Sequence, residues 1–329
     1  MKRIYRKPAK TFRIQKIFLV SGVLTLLITL IITAIVFRFR SQNNSPAIAS
    51  PSFRPNLNSL AQLAQTRVAF PPRPKENALF PKIYAQAYLL YDADSGYPIY
   101  QKNAYQPLPV ASTTKLMTAI LVLEKYPLNE VVTVDLASTK VPGSKIMLQP
   151  GEKITIEALL KGLLISSGND AAYVLAKQMG TVENFVAAMN QKAKEMGLKN
   201  TRFYDPAGLN DNGHSSAFDL ALMLRYLLQH DKFREIATIP ETTLQSADGN
   251  ISHELKNSNR LVTEEMYFEG CLGGKTGFTP TAGHILAVAA RRNGHRLIAV
   301  VINTFENSKV ASAKESQKLL DWGFKNVIF

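Results

Sequence analysis

Cysteine is almost missing from this 329-residue chain, since Cys271 is the only one. A single thiol cannot form an internal disulfide, so the fold does not depend on cross-links even in an oxidising compartment. We interpret Cys271 as a small buried apolar residue. Stability must then come from a packed core, and a hydrophobic content of 46% is ample for one.

Acidic residues are absent from the first 40 positions, which carry nine lysines and arginines. Residues 41–83 add five basic residues and one acidic residue, so these two segments hold almost all of the formal charge of +14. Residues 84–329 are therefore nearly neutral, with a net charge of +1. No cluster of basic and aromatic residues occurs in this part, which argues against a nucleic-acid partner.

Charge of either sign is also missing from Ile17 to Phe37, a run of 21 residues rich in Leu, Ile and Val. About 20 such residues cross a bilayer as a helix. Seven basic residues precede the run and two follow it, so the positive-inside rule leaves the N-terminus in the cytoplasm. We expect a cytoplasmic tail at 1–16 and a single transmembrane anchor at 17–37 in the cell membrane. The alternative is a signal peptide cleaved near Ala49, which would release a secreted protein.

Residues 38–83 lack periodicity and are rich in Ser, Asn, Gln and Pro. This composition is typical of an extended tether. We expect an extracytoplasmic linker at 38–83, followed by one folded domain at 84–329.

The folded part predicts a mixed α/β domain with strands near both of its ends. Asn293-Gly294 is a strong signal for a tight hairpin between Gly283–Arg291 and Arg296–Asn303. An earlier hairpin joins Gln86–Tyr91 to Tyr97–Lys102. We expect one antiparallel sheet formed from both ends of the domain, with a helical region packed on and beside it. Helical spacing of apolar residues marks that region at Thr113–Lys125, Ile156–Leu164, Asn169–Gln178, Val182–Glu195 and Ala217–Gln229, and marks a closing helix at Val310–Trp322.

Two common hydrolase motifs are missing. There is no G-x-S-x-G nucleophile turn, and the five histidines show no recognisable relation to a serine. His253-Glu254 lacks the second histidine of H-E-x-x-H, so we expect no metal centre and place both residues on the surface.

Ser112 is the only serine followed by a lysine three residues later, Lys115. The pair stands where a helical pattern begins, so both side chains should share one face near the positive end of the helix dipole. A serine hydroxyl is a poor nucleophile until a base removes its proton. A lysine can do so only when desolvation or a second cation lowers its pKa. Taken alone, the pair is better explained by a helix-capping serine beside a solvated lysine.

Two further motifs supply what this pair needs. Ser167-Gly168-Asn169 precedes a helix, and Lys275-Thr276-Gly277 opens a strand. Ser167 can relay a proton to a leaving amine, and Asn169 can fix a substrate amide. Lys275 can lower the pKa of Lys115 and hold an anionic substrate end, while Gly277 lets the substrate approach the strand. Each motif alone could be a polar helix cap or an ordinary strand start, but their joint order is specific.

The three motifs resemble the S-x-x-K, S-x-N and K-T-G signatures of penicillin-binding serine enzymes. Longer strings resemble the D-alanyl-D-alanine carboxypeptidase family within that group. The resemblance covers about residues 84–326 and implies a β-lactamase/transpeptidase-like fold. The strings are Pro150-Gly151-Glu152, Leu159 to Ala172, Asn200 to Phe203, Gly208-Leu209, Lys275 to Pro280 and Leu319 to Phe324.

The resemblance implies a serine D-Ala-D-Ala carboxypeptidase that acts on peptidoglycan stem pentapeptides through an acyl-enzyme on Ser112. Lys115 would be the general base, and Ser167 would assist proton transfer. The backbone N–H groups of Ser112 and Phe278 would form an oxyanion hole. β-Lactams should acylate the same serine, and no cofactor or metal is implied. The implied substrate-binding residues are Asn169, Lys275, Thr276, Gly277, Phe278 and Thr279, with Lys275, Thr276 and Thr279 near the terminal carboxylate.

Several alternatives stay open. A D,D-endopeptidase that cleaves peptidoglycan cross-links would share the same residues. A class A β-lactamase needs a glutamate in an E-x-x-L-N loop, and no such string occurs. An inactive cell-wall binding protein is disfavoured by the intact Ser112, Lys115 and Lys275. Relatives often bind the substrate carboxylate with an arginine before the last helix, where this chain has only Lys309 and Lys314.

Overall fold

The computed structural model describes residues 71–329. The expected tail at 1–16, the anchor at 17–37, the cleavage site near Ala49 and the linker up to residue 70 lie outside the described residues. Between residues 71 and 329, no helix is both long enough and apolar enough to cross a membrane.

A five-stranded antiparallel sheet organises the domain. Its five strands are β2 (Ala85–Asp92), β3 (Tyr97–Lys102), β10 (Cys271–Thr279), β11 (Gly283–Arg292) and β12 (His295–Thr304). Their order in the sheet is β10-β11-β12-β2-β3, so two strands from the start of the domain extend a sheet made by three strands from its end. This confirms the predicted sheet formed from both ends of the domain.

Helices fill the middle of the chain and close its end. They are α1 (Lys115–Lys125), α2 (Leu136–Thr139), α3 (Ile156–Leu164), α4 (Asn169–Lys177), α5 (Val182–Glu195), α6 (Ala217–Leu227), α7 (Asp231–Ala237) and α8 (Ala311–Asn326). Short strands pair antiparallel around them. The pairs are β1 (Arg73–Pro74) with β13 (Val327–Ile328), β4 (Leu108–Pro109) with β7 (His214–Ser215), β5 (Val131–Thr133) with β6 (Lys153–Thr155), and β8 (Glu241–Gln245) with β9 (Ser252–Lys256).

Both faces of the sheet are buried. Successive side chains of a strand point to opposite faces. Leu89 and Val300 pack into the core shared with α1 and with α3 to α7, whereas Leu90 and Val301 pack into a second core under α8. This explains why β2 and β12 are continuously apolar instead of alternating. β10 lies at one edge of the sheet, and its free side faces the site described below.

Part of the segment expected to be a linker belongs to the folded domain. β1 pairs with β13. Phe80 stacks on Trp322 with 4.7 Å between ring centroids, and Trp322 Nε1 donates a hydrogen bond to the Leu79 carbonyl at 2.7 Å. Ordered packing therefore begins before residue 84. A two-residue strand and isolated aromatic contacts produce no periodic pattern in the sequence, so this part of the fold could not be predicted from periodicity.

Two side chains outside the motifs, those of His253 and Cys271, are wholly or partly buried. His253 is buried, with Nε2 2.7 Å from Glu152 Oε1, so the expected surface position is wrong for this residue. It lies on the covered face of β9, whereas the neighbouring Glu254 is exposed. The Cys271 side chain is partly buried, and desolvation raises the pKa of its thiol to about 11. This thiol therefore remains protonated near neutral pH.

Candidate active site

Ser112 lies in a short 3-10 turn, Ala111–Thr114, that leads directly into α1. Ala111 has a φ of +45°, a left-handed conformation that costs a non-glycine residue about 1 kcal/mol or more. The Gly208 backbone packs directly against this residue, because a Cβ on Gly208 would lie only 1.9 Å from the Ala111 carbonyl oxygen. The turn presents Ser112 at the wall of a cleft of about 590 Å³.

Lys115 is placed to act as a base toward this serine. Its Nζ lies 2.7 Å from Ser112 Oγ, 2.7 Å from Asn169 Oδ1 and 2.9 Å from the Ala207 carbonyl oxygen. A neutral amine has two N–H donors and one lone pair. Asn169 Oδ1 and the Ala207 carbonyl can only accept, so they take the two N–H groups. The lone pair is then left for the Ser112 hydroxyl proton.

Burial favours this neutral form. The Lys115 side chain is fully buried, and desolvation lowers its pKa well below the ordinary value. The positive charge of Lys275 lowers the pKa further, while the carboxylates of Asp205 and Asp170 oppose the shift. Desolvation is the largest of these effects, so the site as a whole disfavours an ammonium at Lys115.

The sequence predicted that a strand begins at Lys275, but Lys275 lies in the middle of β10, which begins at Cys271. The first half of the strand was not predicted because it contains Gly273 and Gly274, and glycine has little β propensity. Lys275 Nζ donates to Ser167 Oγ at 2.9 Å and to the Thr276 carbonyl at 3.0 Å. Burial lowers the pKa of Lys275 to about 7. Both protonation states are therefore accessible near neutral pH.

Ser167 and Asn169 come from the junction between α3 and α4. Ser167 has a φ of +61°, which turns the chain sharply before the helix. Asn169 Nδ2 donates to the Pro142 carbonyl at 2.6 Å, which fixes the amide so that its oxygen meets Lys115. The buried Asp170 accepts backbone N–H groups of the loop 142–148 at 3.1 to 3.2 Å. This loop and α4 therefore hold each other in place.

Gly277 allows β10 to approach the turn that carries Ser112. A Cβ at Gly277 would lie 2.8 Å from the Val110 carbonyl oxygen and 3.3 Å from the Ser112 nitrogen. Only glycine fits there. The Phe278 side chain points outward, is 51% exposed and stacks on His284 with 4.4 Å between ring centroids.

The cleft has a basic lining, of which the sequence had indicated only Lys309. Thr276 Oγ1 donates to Ser258 Oγ at 2.7 Å, and Arg260 and Lys309 line the same cleft. In the described part of the chain, no Asp or Glu lines it. Ser258 and Arg260 belong to no motif and reach the cleft only through tertiary folding, so no local signal could have identified them.

Thr279 stands at the far end of β10 with its hydroxyl already engaged. Its Oγ1 donates to Asp211 Oδ1 at 2.9 Å and accepts from the Ala282 N–H at 3.0 Å. The other predicted residues meet around the cleft. Hydrogen bonds link Ser112, Lys115 and Asn169 in one group and Ser167, Lys275 and Thr276 in another.

Taken together, these groups suit acyl transfer. A hydroxyl lies beside a desolvated amine, a second hydroxyl lies beside a second lysine, and Arg260 and Lys309 line the cleft. Acyl transfer requires a nucleophile, a base, a proton relay and an anion site, and these groups have the chemical types suited to those roles.

Comparison with known proteins agrees with this arrangement. The family model described as D-alanyl-D-alanine carboxypeptidase matches residues 74–306. A D-alanyl-D-alanine carboxypeptidase of Bacillus subtilis is 37% identical over 247 residues, which cover 73% of this chain and 62% of that protein. A D-alanyl-D-alanine endopeptidase of Pseudomonas aeruginosa is 33% identical over 261 residues, which cover 78% of this chain and 83% of that protein.

Solved structures share the fold. The crystal structure of a D-alanyl-D-alanine carboxypeptidase from Mycobacterium tuberculosis superposes with a TM-score of 0.71 at 31% identity. The match covers 77% of this chain and 96% of that one. The chain spans less than two thirds of the Bacillus relative. With a mixed α/β fold of the penicillin-binding and transpeptidase type and a family match over most of its length, this chain belongs to the D-alanyl-D-alanine carboxypeptidase family.

Proposed function

We propose that this protein is a serine-type D-Ala-D-Ala carboxypeptidase that removes the terminal D-Ala from peptidoglycan stem pentapeptides. The observation that carries the proposal is the buried Lys115 amine, which lies 2.7 Å from Ser112 Oγ while two other oxygens take its N–H groups. The family match and the similarity to named carboxypeptidases support it.

The reaction would begin with attack of Ser112 Oγ on the carbonyl of the penultimate D-Ala, as Lys115 takes the hydroxyl proton. The backbone N–H groups of Ser112 and Phe278 would stabilise the oxyanion, each contributing about two to three powers of ten in rate. Ser167, which is hydrogen-bonded to Lys275, would relay this proton from Lys115 to the amine of the departing D-Ala, so that Lys115 is again neutral and can activate water. Water would then hydrolyse the ester on Ser112.

The terminal carboxylate would bind at the basic side of the cleft. Thr276, Arg260 and Lys309 line the cleft, and the Nζ of the neighbouring Lys275 contacts the Thr276 carbonyl. Lys309 then provides a cation near the position where relatives often carry an arginine. Arg260→Ala and Lys309→Ala should each raise KM for a pentapeptide more than they lower kcat, because they remove ground-state binding of an anion.

Covalent labelling by a fluorescent penicillin tests the nucleophile. Ser112→Ala should abolish the label, and Lys115→Ala should slow its formation strongly because no base remains. Ser252→Ala, an exposed serine on β9, is the matched control and should label normally. A label that persists in Ser112→Ala would show that the nucleophile lies elsewhere.

A D,D-endopeptidase is the second candidate, because the Pseudomonas relative is a D-alanyl-D-alanine endopeptidase and the match covers most of its length. Both reactions would use the same residues. Product analysis separates them: a carboxypeptidase releases D-Ala from a stem pentapeptide, whereas an endopeptidase converts a cross-linked dimer into monomers.

The location of the enzyme follows from the sequence. Residues 17–37 would anchor it in the cell membrane with the catalytic domain outside, and cleavage near Ala49 would instead release it. Membrane fractionation combined with N-terminal mass analysis distinguishes the two, since the anchored form keeps its basic tail.

A further inference from the structure

The edge of the sheet defines how a peptide would lie in the site. β10 pairs with β11 on one side only, and a free strand edge can bind an extended peptide as an added strand. Under the proposed function, the terminal carboxylate lies near Lys275 and Thr276 while the scissile carbonyl faces the Phe278 N–H. Such a peptide runs antiparallel to β10, so the residues before the scissile bond extend toward Thr279.

The carboxylate of Asp211 lies at the Thr279 end of β10. Asp211 Oδ1 accepts a hydrogen bond from Thr279 Oγ1 at 2.9 Å, and Oδ2 accepts one from Thr281 Oγ1 at 2.7 Å. Asp211 is exposed, and no lysine, arginine or histidine between residues 71 and 329 forms an ion pair with it. Each carboxylate oxygen can accept a further hydrogen bond, so Asp211 can still bind a cation.

The two ends of the site therefore differ in charge. Arg260 lines the cleft two residues after Ser258, whose hydroxyl accepts a hydrogen bond from Thr276 Oγ1, whereas Asp211 lies at Thr279, three residues further along the strand than Thr276. At about 3.4 Å per residue, the two ends are about 10 Å apart. A well-matched peptide carries its carboxylate at one end and a positive charge on the residue just before the penultimate D-Ala. That position in a stem peptide is a diamino acid, whose side-chain amine is free until it is used in a cross-link.

We propose that Asp211 is a specificity-determining residue that favours stem peptides with a free side-chain amine on the residue before the penultimate D-Ala. This inference rests on the proposed carboxypeptidase activity. It also reassigns Thr279: a substrate carboxylate there would be repelled by Asp211, so Thr279 holds Asp211 in position and the terminal carboxylate binds nearer Thr276.

The test uses the full-length protein and two substrates, an acyl-L-Lys-D-Ala-D-Ala peptide with a free ε-amine and its Nε-acetyl analogue. Wild-type protein should show a higher kcat/KM for the free amine. Asp211→Asn should reduce that preference by about two- to fivefold, the range of one exposed ion pair. High salt should reduce it in the wild type as well, because salt screens exposed charges.

Two further variants separate charge from structure. Thr281→Val removes one hydrogen bond to Asp211 but keeps its charge, so the preference should persist. Asp248→Asn, an exposed aspartate in the β8–β9 turn, should behave as wild type. The rate of acylation by a small β-lactam without a cationic side chain reports whether Asp211→Asn leaves the site intact.

The outcomes are distinct. If wild-type protein cleaves neither peptide, the proposed function fails. If it cleaves both with a preference that Asp211→Asn does not change, the role of Asp211 is overturned and the proposed function stands. An equal loss of preference in Asp211→Asn and Thr281→Val would also overturn it, because loop position and not charge would then set the specificity.

Discussion

Replacing Lys275 with methionine should make the domain more stable while it removes a group proposed to bind substrate. The Lys275 side chain is 1% exposed, and burial lowers its pKa from 10.5 to about 7. One pKa unit corresponds to about 1.4 kcal/mol, so the folded protein carries a penalty of about 5 kcal/mol for the charged form below pH 7. Methionine has a similar length and no charge, so it removes this penalty.

The substitution also has a cost. Ser167 Oγ and the Thr276 carbonyl lose the Nζ donor, and each unsatisfied buried group costs about 1 kcal/mol or more. The net stabilisation at pH 6 is then about 2 to 3 kcal/mol. In a domain of this size 1 kcal/mol moves Tm by about 2 to 4 °C, so we expect a rise of about 5 to 10 °C.

The gain should depend on pH with a definite sign. In the unfolded chain a lysine keeps its proton up to about pH 10.4, whereas folded Lys275 loses it near pH 7. Between these values the unfolded state binds more protons, so the stability of the wild type rises with pH. The methionine variant lacks this dependence. At pH 10 the wild type has lost most of its penalty while the variant keeps the cost of the two missing hydrogen bonds, so the variant should then be less stable than the wild type by about 1 to 2 kcal/mol.

Thermal unfolding of the full-length protein in detergent, followed by the fluorescence of Trp322, measures both effects, since Trp322 is the only tryptophan. Lys199→Met, at an exposed position, is the matched control and should leave Tm nearly unchanged at every pH. A variant no more stable than wild type at pH 6, or a gain equal at pH 6 and pH 10, would refute the claim that Lys275 is held in a desolvated site.

Two further substitutions probe the geometry around the nucleophile. Gly277→Ala should slow acylation by a β-lactam at least about 100-fold. The added methyl group would lie 2.8 Å from the Val110 carbonyl oxygen and would push β10, with the proposed oxyanion donor Phe278 N–H, away from Ser112. An unchanged rate in stopped-flow labelling would contradict this. Asp205→Asn should move the acid limb of the pH–rate profile to lower pH, since the Asp205 charge raises the pKa of Lys115 and its loss lets the amine remain neutral in more acidic solution. A shift to higher pH would contradict the assignment of Lys115 as the base.

Several elements were predictable because their signals are local. α3 and α5 have the bounds expected from sequence. Each begins after a threonine whose side chain accepts the N–H three residues later, from Thr155 and from Thr181. The β11–β12 hairpin turns at Asn293-Gly294, where both residues have positive φ as a tight hairpin requires. In each case a few neighbouring residues determine the structure.

Other features depend on tertiary contacts and could not be read locally. α8 continues to Asn326, past the expected end at Trp322, although Gly323 reads as a helix terminator. A Cβ at Gly323 would lie 2.7 Å from a Leu297 side-chain atom, so this glycine serves close packing of the helix on the sheet. Arg260, which lines the cleft from a short 3-10 turn, and Asp211, which lies beside Thr279, likewise occupy positions that only the folded chain defines. The motif residues were found because their order, and not their local structure, is distinctive.

The strain in the backbone concentrates where the chemistry is proposed. Seven non-glycine residues in the described part of the chain have positive φ, and four of them are asparagines, which tolerate that conformation well. The other three are Ala111, Met147 and Ser167. Ala111 precedes Ser112, the proposed nucleophile, Ser167 is hydrogen-bonded to Lys275, and Met147 lies in the loop that Asp170 holds beside Asn169. Residues that violate local preference persist only where the surrounding structure enforces them, and such sites are commonly functional. The two buried lysines violate a second preference at the same place. Positive φ at non-glycine residues and burial of two lysines both cost free energy, so the packing of the two cores on the faces of the sheet must stabilise the site.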